Sequence, residues 1–170
     1  MLGFLFRGLT AELPSGVRLF ETLTAEARRQ SWYRQGEVPD TLDGRFAVLA
    51  TIIALALVRL EQDGEAGDRL SVALTERFIA VMESEHRELG LGDPTLGKTV
   101  RKLVAKLAKR TELWRSAVGG QFSWAEATCE SLYKEEPKPE ALDHGAAVLK
   151  QVNARLAATP LAQLEEGKFA

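Results

Sequence analysis

The sequence RFAVLATIIALALVR, residues 45–59, contains the longest apolar run of the chain, thirteen residues closed by an arginine at each end. A helix needs about 20 predominantly apolar residues to cross a bilayer, so this run is short for a membrane span. A helix that is apolar on all sides is otherwise stable in the core of a protein. We therefore expect a buried central helix, with a segment that enters or lies on the membrane as the alternative.

Glycine and proline clusters divide the rest of the chain into further helices with short connections. No stretch alternates convincingly between apolar and polar residues with period two, which argues against strands. The sequence predicts an all-α protein, a single-domain bundle of about six helices. The expected bounds are a helix over 17–35, a helix from a cap at Asp40 or Thr41 to 62, a loop over 63–68, helices over 69–89 and 97–118, a capping box at Ser123–Glu126 that starts a fifth helix, a sixth over 140–158, and a last turn after Thr159–Pro160.

Length and composition favour one domain with one core. The 170 residues, 45% of them hydrophobic, suffice for a sizeable core and are too few for two full domains. We expect residues 17–165 to form that domain and residues 1–16 to be a flexible apolar segment that touches a membrane. A single cysteine cannot form an internal disulfide, and no secretory signal or transit peptide is evident. We therefore expect a cytoplasmic location with peripheral contact at the inner membrane.

The stretch from Gly92 to Thr99 fits the P-loop pattern G-x-x-x-x-G-K-[ST]. A P-loop follows a strand, however, and residues 78–89 carry apolar side chains at helical spacing. No hydrophobic strand ending in an aspartate follows to hold a magnesium ion. We interpret the motif as a glycine-rich connection between two helices.

The helix predicted over 97–118 has two opposite faces. One face is apolar, and the other carries a stripe of cations about three turns long, made of Lys98, Lys102, Lys106 and Lys109 with Arg101 and Arg110 beside them. Three interpretations stay open: a solvated face, a nucleic-acid or ribosome contact, and a contact with an acidic protein or membrane surface. No aromatic residue interleaves with the lysines, so stacking of bases on this helix is not expected.

Two runs carry a family resemblance. Residues 28–46 contain an arginine pair, an aromatic–tyrosine pair and then V-P-D-T-x-x-G-R-F, and residues 82–102 resemble L-R-E-x-G-V-G-D-x-x-V-G-K-x-V-K. With the spacing between them, these runs resemble the two signatures of the ubiquinol–cytochrome c chaperone family. The resemblance covers residues 17–160 and is that of a bacterial homologue of the mitochondrial cytochrome b assembly factor.

This resemblance implies a non-enzymatic assembly factor that binds newly made cytochrome b during biogenesis of ubiquinol–cytochrome c reductase, respiratory complex III. Mitochondrial members associate with the ribosome near its tunnel exit, so a ribosome contact is also expected. The alternative is a ribosome- or RNA-binding helical module that uses the basic fourth helix alone. Neither interpretation involves DNA or a cofactor.

The partner-binding surface is predicted to combine both signatures with the basic helix. Within it, Val38–Thr41 is expected to cap a helix, Gly44 to allow close packing, and Arg45 to pair with Asp93 or Glu88. The predicted partner-binding residues are Trp32, Tyr33, Asp40, Arg45, Asp93, Lys98, Arg101, Lys102, Lys106 and Lys109.

Catalytic and metal patterns are incomplete. Glu83-x-x-His86 is half of a di-iron motif, which needs the pattern twice and two further glutamates, and Glu140 with His144 has a different spacing. Cys129 is expected to be a packed core thiol. We therefore predict no catalytic residue and no metal ligand, and a protein that is not an enzyme.

Overall fold

The computed structural model describes residues 15–88, 90 and 93–169, and over these residues the protein is helical with no strand. The prediction of an all-α bundle is confirmed, and six of the helices have nine or more residues. Residues 1–14, most of the predicted apolar segment, lie outside the described residues. The helices are α1 Ser15–Ala27, α2 Ser31–Arg34, α3 Leu42–Leu60, α4 Gly64–Glu88, α5 Asp93–Val118, α6 Trp124–Leu132, α7 Pro139–Ala158 and α8 Leu161–Glu165, with a 3₁₀ turn Glu61–Asp63 between α3 and α4.

Helix α3 is the centre of the bundle, as the apolar run predicts. Thirteen of its 19 residues are buried, and α1, α4, α5, α6 and α7 all pack against it. Ile52, Ile53 and Leu55 are fully buried within it. Among the residues that the structure describes, no helix is both long enough and apolar enough to cross a bilayer.

The predicted helix over 17–35 is wrong in one respect, because the chain turns at residues 28–30 and forms two helices, α1 and α2. The Trp32 indole nitrogen donates a hydrogen bond to the carbonyl of Glu26 at 3.0 Å, and the Tyr33 hydroxyl donates to that of Ala27 at 3.1 Å. Carbonyls at the end of a helix lack partners within it. Side chains from α2 satisfy two of them here, so α2 folds back onto the end of α1.

The predicted loop over 63–68 is also wrong, since α4 begins at Gly64 immediately after the 3₁₀ turn. Gly67 lies inside α4, where a Cβ atom would come within 2.0 Å of the Leu60 carbonyl oxygen. This glycine therefore permits the close approach of α4 to the end of α3 and does not interrupt the helix. Helix α5 likewise begins at Asp93, four residues before the predicted start, and so includes Gly97 and Lys98.

The end of α8 and the residues just after it are hydrogen-bonded to α1. The Arg18 Nε donates to the carbonyl of Glu165 at 3.0 Å, and the Thr22 hydroxyl donates to that of Gly167 at 2.6 Å. These bonds join residues 147 and 145 positions apart in sequence. The outer face of α1 is thus held by residues from the far end of the fold.

Arg59, at the end of α3, similarly donates hydrogen bonds to carbonyls at the end of α7. Its Nε and Nη2 donate to the carbonyls of Leu156 and Thr159, both at 3.1 Å, and its Nη1 pairs with Asp63. The side chain is only 10% exposed. One buried guanidinium therefore joins α3, the 3₁₀ turn and the end of α7.

Candidate functional site

A groove of about 990 Å³ opens between α1, α2, the start of α3, α4 and α5. About half of the residues that line it are apolar, and apolar surface in a concavity is typical of a site that binds apolar ligands or segments. We call it the groove throughout. Its apolar lining includes Phe20, Tyr33, Leu42, Phe46, Leu49, Val81, Met82 and Leu103.

Leu42 is the most exposed large apolar side chain of the groove, with 53% of its surface open to solvent. It is the first residue of α3, directly after Thr41, whose hydroxyl caps the helix by accepting from the Gly44 amide at 3.2 Å. The predicted cap at Thr41 is confirmed. Because the cap fixes where α3 begins, it also fixes the direction of the Leu42 side chain at the edge of the groove.

Asp40 and Arg45 form an ion pair on the rim of the groove. The Arg45 Nε lies 2.7 Å from an Asp40 carboxylate oxygen, and this hydrogen bond lowers the pKa of Asp40. The predicted pair of Arg45 with Glu88 does not form among the described residues, and the side chain of Asp93, the other predicted partner, lies outside them. The partner lies only five residues away, on the other side of the Thr41 cap.

The two neighbouring aromatic residues of the first signature separate in the structure. Trp32 is fully buried and belongs to the core. Tyr33 lines the groove and is half-buried, and this burial is the main cause that raises its pKa. In this structure only Tyr33 of the pair presents a surface to a ligand in the groove.

The residues between α2 and α3 are held on both sides. A Cβ atom at Gly44 would lie 1.9 Å from the Pro39 carbonyl oxygen, so the connection packs directly on the first turn of α3. The Tyr133 hydroxyl, from just beyond α6, donates to the Gly36 carbonyl at 2.6 Å. Burial is the largest cause that raises the pKa of Tyr133 to about 12. These contacts fix the loop that carries Asp40 to the rim.

A second concavity, of about 510 Å³, lies between the start of α3, α5 and the end of α6. It shares Asp43, Phe46 and Lys106 with the groove, so the two are adjacent. We call it the basic pocket, because four cationic side chains line it, Lys106, Lys109, Arg110 and Lys134.

The ten residues predicted to bind a partner are distributed over several places. Four of them, Tyr33, Asp40, Arg45 and Lys106, line the groove, and Lys109 joins Lys106 in the basic pocket. Three more, Lys98, Arg101 and Lys102, are exposed on α5 outside both concavities. Trp32 lies in the core, and the side chain of Asp93 is outside the described part of the structure.

Sequence reasoning missed the apolar residues and one arginine of the groove. Phe20 of α1 and Arg77 of α4 lie against each other, with the guanidinium carbon 5.9 Å from the ring centre. No pattern in the sequence connects these two positions. An apolar residue directly after the Thr41 cap was the one local signal, and it points to Leu42.

Residues 93–99 of the stretch that fits the P-loop pattern lie in the first two turns of α5. The prediction that the motif is a connection between two helices is therefore wrong for these residues. The element that precedes the pattern is the helix α4, which ends at Glu88, and a P-loop requires a strand there. Within residues 15–88, 90 and 93–169, no group of three or more His, Cys, Asp or Glu side chains is placed to hold a metal ion.

Comparisons with known proteins agree with one another. A model of the family described as ubiquinol-cytochrome C chaperone matches residues 34–170. The crystal structure of the Cbp3 homologue from Brucella abortus superposes with a TM-score of 0.78 at 28% sequence identity, over 100% of this chain and 97% of that one. No curated protein matches the sequence.

Proposed function

Because the chain belongs to the ubiquinol–cytochrome c chaperone family, and is thus an assembly chaperone of respiratory complex III, we propose that it binds newly made cytochrome b in the groove. The observation that supports this site is the groove itself, about 990 Å³ in volume, where residues of both family signatures meet. From the first signature come Tyr33 and Arg45, and from the second come Met82 and His86.

The apolar residues of the groove suit a membrane protein before insertion. Cytochrome b has membrane-spanning helices, and each such helix exposes about 20 apolar residues to water until it reaches the bilayer. Exposed apolar surface of that size promotes aggregation. A groove that receives one apolar face of a helix is a common mode of recognition, in which side chains three and four residues apart provide the anchors.

The charged rim gives the groove an orientation that apolar walls alone do not supply. Arg28 and the Asp40–Arg45 pair lie on the α1–α3 side, and Lys106 lies on the α5 side. Polar groups at the edge of an apolar site fix the register of a bound segment. We propose that these side chains hold the polar end of a client helix while its apolar face is covered.

The proposal includes no catalytic step, since binding and release of a client suffice for a chaperone. A cytoplasmic location with peripheral contact at the inner membrane belongs to the same proposal. A ribosome contact near the tunnel exit, through the exposed cations of α5, stays a prediction. No observation favours the RNA-binding alternative.

The groove is tested by placing a charge in it. We expect Leu42→Asp to abolish most recovery of cytochrome b when the tagged protein is purified from cells that assemble complex III, because a carboxylate at this position opposes burial of an apolar client. Aspartate is well tolerated in the first turn of a helix, so α3 should still form. Mass spectrometry of the co-purified proteins provides the measurement.

Val72 supplies the matched control. It is 58% exposed on α4 and lines neither the groove nor the basic pocket. Val72→Asp should therefore recover cytochrome b like the parent, and circular dichroism should show both variants folded. Equal recovery with Leu42→Asp and the parent would contradict the groove as the client site. Equal loss with both variants would contradict it as well.

A further inference from the structure

Arg110 is a cation with no carboxylate partner among the residues that the structure describes. It lies in the second half of α5, is only partly exposed, and its Nη2 donates to the carbonyl of Ser131 at 3.0 Å. Its Nε is buried and has no hydrogen-bond partner, and among the described residues no acid forms an ion pair with it. Burial lowers the pKa of Arg110, with no carboxylate to oppose the effect.

A buried charge without a partner costs free energy, and proteins normally pair such a charge. The Phe46 ring, 5.7 Å from the Arg110 guanidinium carbon, offers only a weak cation–π contact. Arg110 faces the basic pocket. The pocket therefore contains an arginine that no carboxylate of the described residues pairs with.

Two lysines increase this excess of positive charge. Lys106 and Lys109 are exposed and lie in the pocket, and neither forms an ion pair within the described part of the chain. The fourth cation, Lys134, is already bound to Asp43. The pocket also contains Glu130, so its four cations face two carboxylates and leave a net charge of two positive units.

From this geometry we propose that the basic pocket is a binding site for a phosphate group, with Lys106, Lys109 and Arg110 as its donors. A phosphate has several oxygens that accept hydrogen bonds from different directions, and arginine and lysine are the usual residues that bind it. The volume of about 510 Å³ leaves room for a substituent on the phosphate. The site does not depend on the proposed client.

Two sources of phosphate share this chemistry, a soluble phosphate ester and the headgroup of an anionic lipid. Both present a phosphate to the same three side chains. A lipid would in addition place the start of α3 and this part of α5 against a membrane surface. The experiment therefore has one arm for the shared group and one for the lipid.

In the first arm, inorganic phosphate is titrated into the full chain at constant ionic strength, and calorimetry measures the binding. We expect saturable binding by the parent. Lys106→Gln with Lys109→Gln should weaken the affinity about tenfold or more, because two charge-assisted contacts are lost. The control is Lys98→Gln with Lys102→Gln, on exposed positions of α5 outside the pocket, and its affinity should stay within about twofold of the parent.

In the second arm, vesicles of phosphatidylglycerol are compared with vesicles of phosphatidylcholine. Binding to phosphatidylglycerol that inorganic phosphate displaces, and that falls in the Lys106/Lys109 variant, supports the site with a lipid as its source. If the protein binds inorganic phosphate saturably but binds no vesicles, the result supports the site with a soluble phosphate ester as its source. No saturable binding of phosphate by the parent would overturn the proposal. An equal loss in both double variants would overturn it too, since it would indicate a general attraction to the helix.

Discussion

At the scale of single residues, Gly44 of the first family signature lets the loop before α3 pack directly on the first turn of this helix. A Cβ atom there would lie 1.9 Å from the Pro39 carbonyl oxygen, far inside contact distance. We predict that Gly44→Ala lowers the free energy of unfolding by about 2–4 kcal/mol, because the connection before α3 must move away. Urea unfolding measures this loss.

Gly97, in the second signature, is the matched control. It lies in α5, and a Cβ atom added there would meet nothing within 4 Å. Alanine is favoured over glycine inside a helix by about 1 kcal/mol, so Gly97→Ala should leave the protein equally stable or slightly more stable. A similar loss of stability in both variants would show that helix geometry, not the contact with Pro39, sets the cost.

Residue by residue, local chemistry was predictable and distant pairing was not. The cap at Thr41 and the need for close packing at Gly44 both follow from positions near them in sequence. The partner of Arg45 did not, because several acids were available and the sequence contains no distances. Arg45 pairs with Asp40 because the turn around the Thr41 cap brings the Asp40 carboxylate within 2.7 Å of the Arg45 Nε.

At the scale of elements, Arg59 decides how α3 and α7 are joined. Its guanidinium donates to two carbonyls at the end of α7 and pairs with Asp63. We predict that Arg59→Met lowers the free energy of unfolding by about 3–5 kcal/mol, because the partly buried carboxylate of Asp63 and the two carbonyls lose their partner together. Chemical denaturation monitored by circular dichroism tests this value.

Arg69 on α4 is the comparison for that variant. It pairs with Glu65 at 3.8 Å, and the two side chains are 72% and 96% exposed. Exposed pairs on a helix contribute little, so Arg69→Met should change the free energy of unfolding by about 0.5 kcal/mol or less. If the two variants lost the same amount, the bonds from Arg59 to α7 would not be important for stability.

The predictions of helix ends were correct where a capping residue marks the end, and they were wrong where tertiary contacts determine it. Ser123 accepts from the Glu126 amide at 3.4 Å and begins α6 as predicted. Gly67 was interpreted as part of a loop, because sequence patterns do not distinguish a glycine that breaks a helix from one that admits a neighbour. The turn after Ala27 depends on the buried side chain of Trp32, which is likewise a tertiary effect.

At the scale of the whole molecule, α1 belongs to the same core as the rest, although the family match begins at residue 34. Leu19 and Leu23 of α1 are fully buried and Phe20 is 4% exposed. Burial of each such side chain contributes about 1.5–3 kcal/mol, and a whole domain is stable by only about 5–15 kcal/mol. We predict that a fragment of residues 34–170 does not fold cooperatively.

A fragment of residues 15–170, which retains α1, is the control and should unfold in one cooperative transition. Urea titrations of both fragments, followed by circular dichroism, make the comparison. A cooperative transition in residues 34–170, with a midpoint close to that of the longer fragment, would mean that α1 and Trp32 of α2 are not required for the core.

The candidate site was the least predictable feature, because five helices build it. The sequence identified Tyr33, Asp40, Arg45 and Lys106, whose signature or charge pattern is visible locally. Phe20 and Arg77, 57 positions apart in sequence, meet only once the bundle has formed. The apolar surface of the groove is therefore a property of the tertiary structure.

The bonds from α1 to Glu165 and Gly167 have a consequence for the order in which the protein matures during translation. Helix α1 leaves the ribosome early, but its two partners are made 147 and 145 residues later. The outer face of α1 therefore lacks these two hydrogen bonds until residues 165–167 have been synthesised. Since α1 forms one wall of the groove, this wall of a nascent copy reaches its final form only after α8 and Gly167 have emerged.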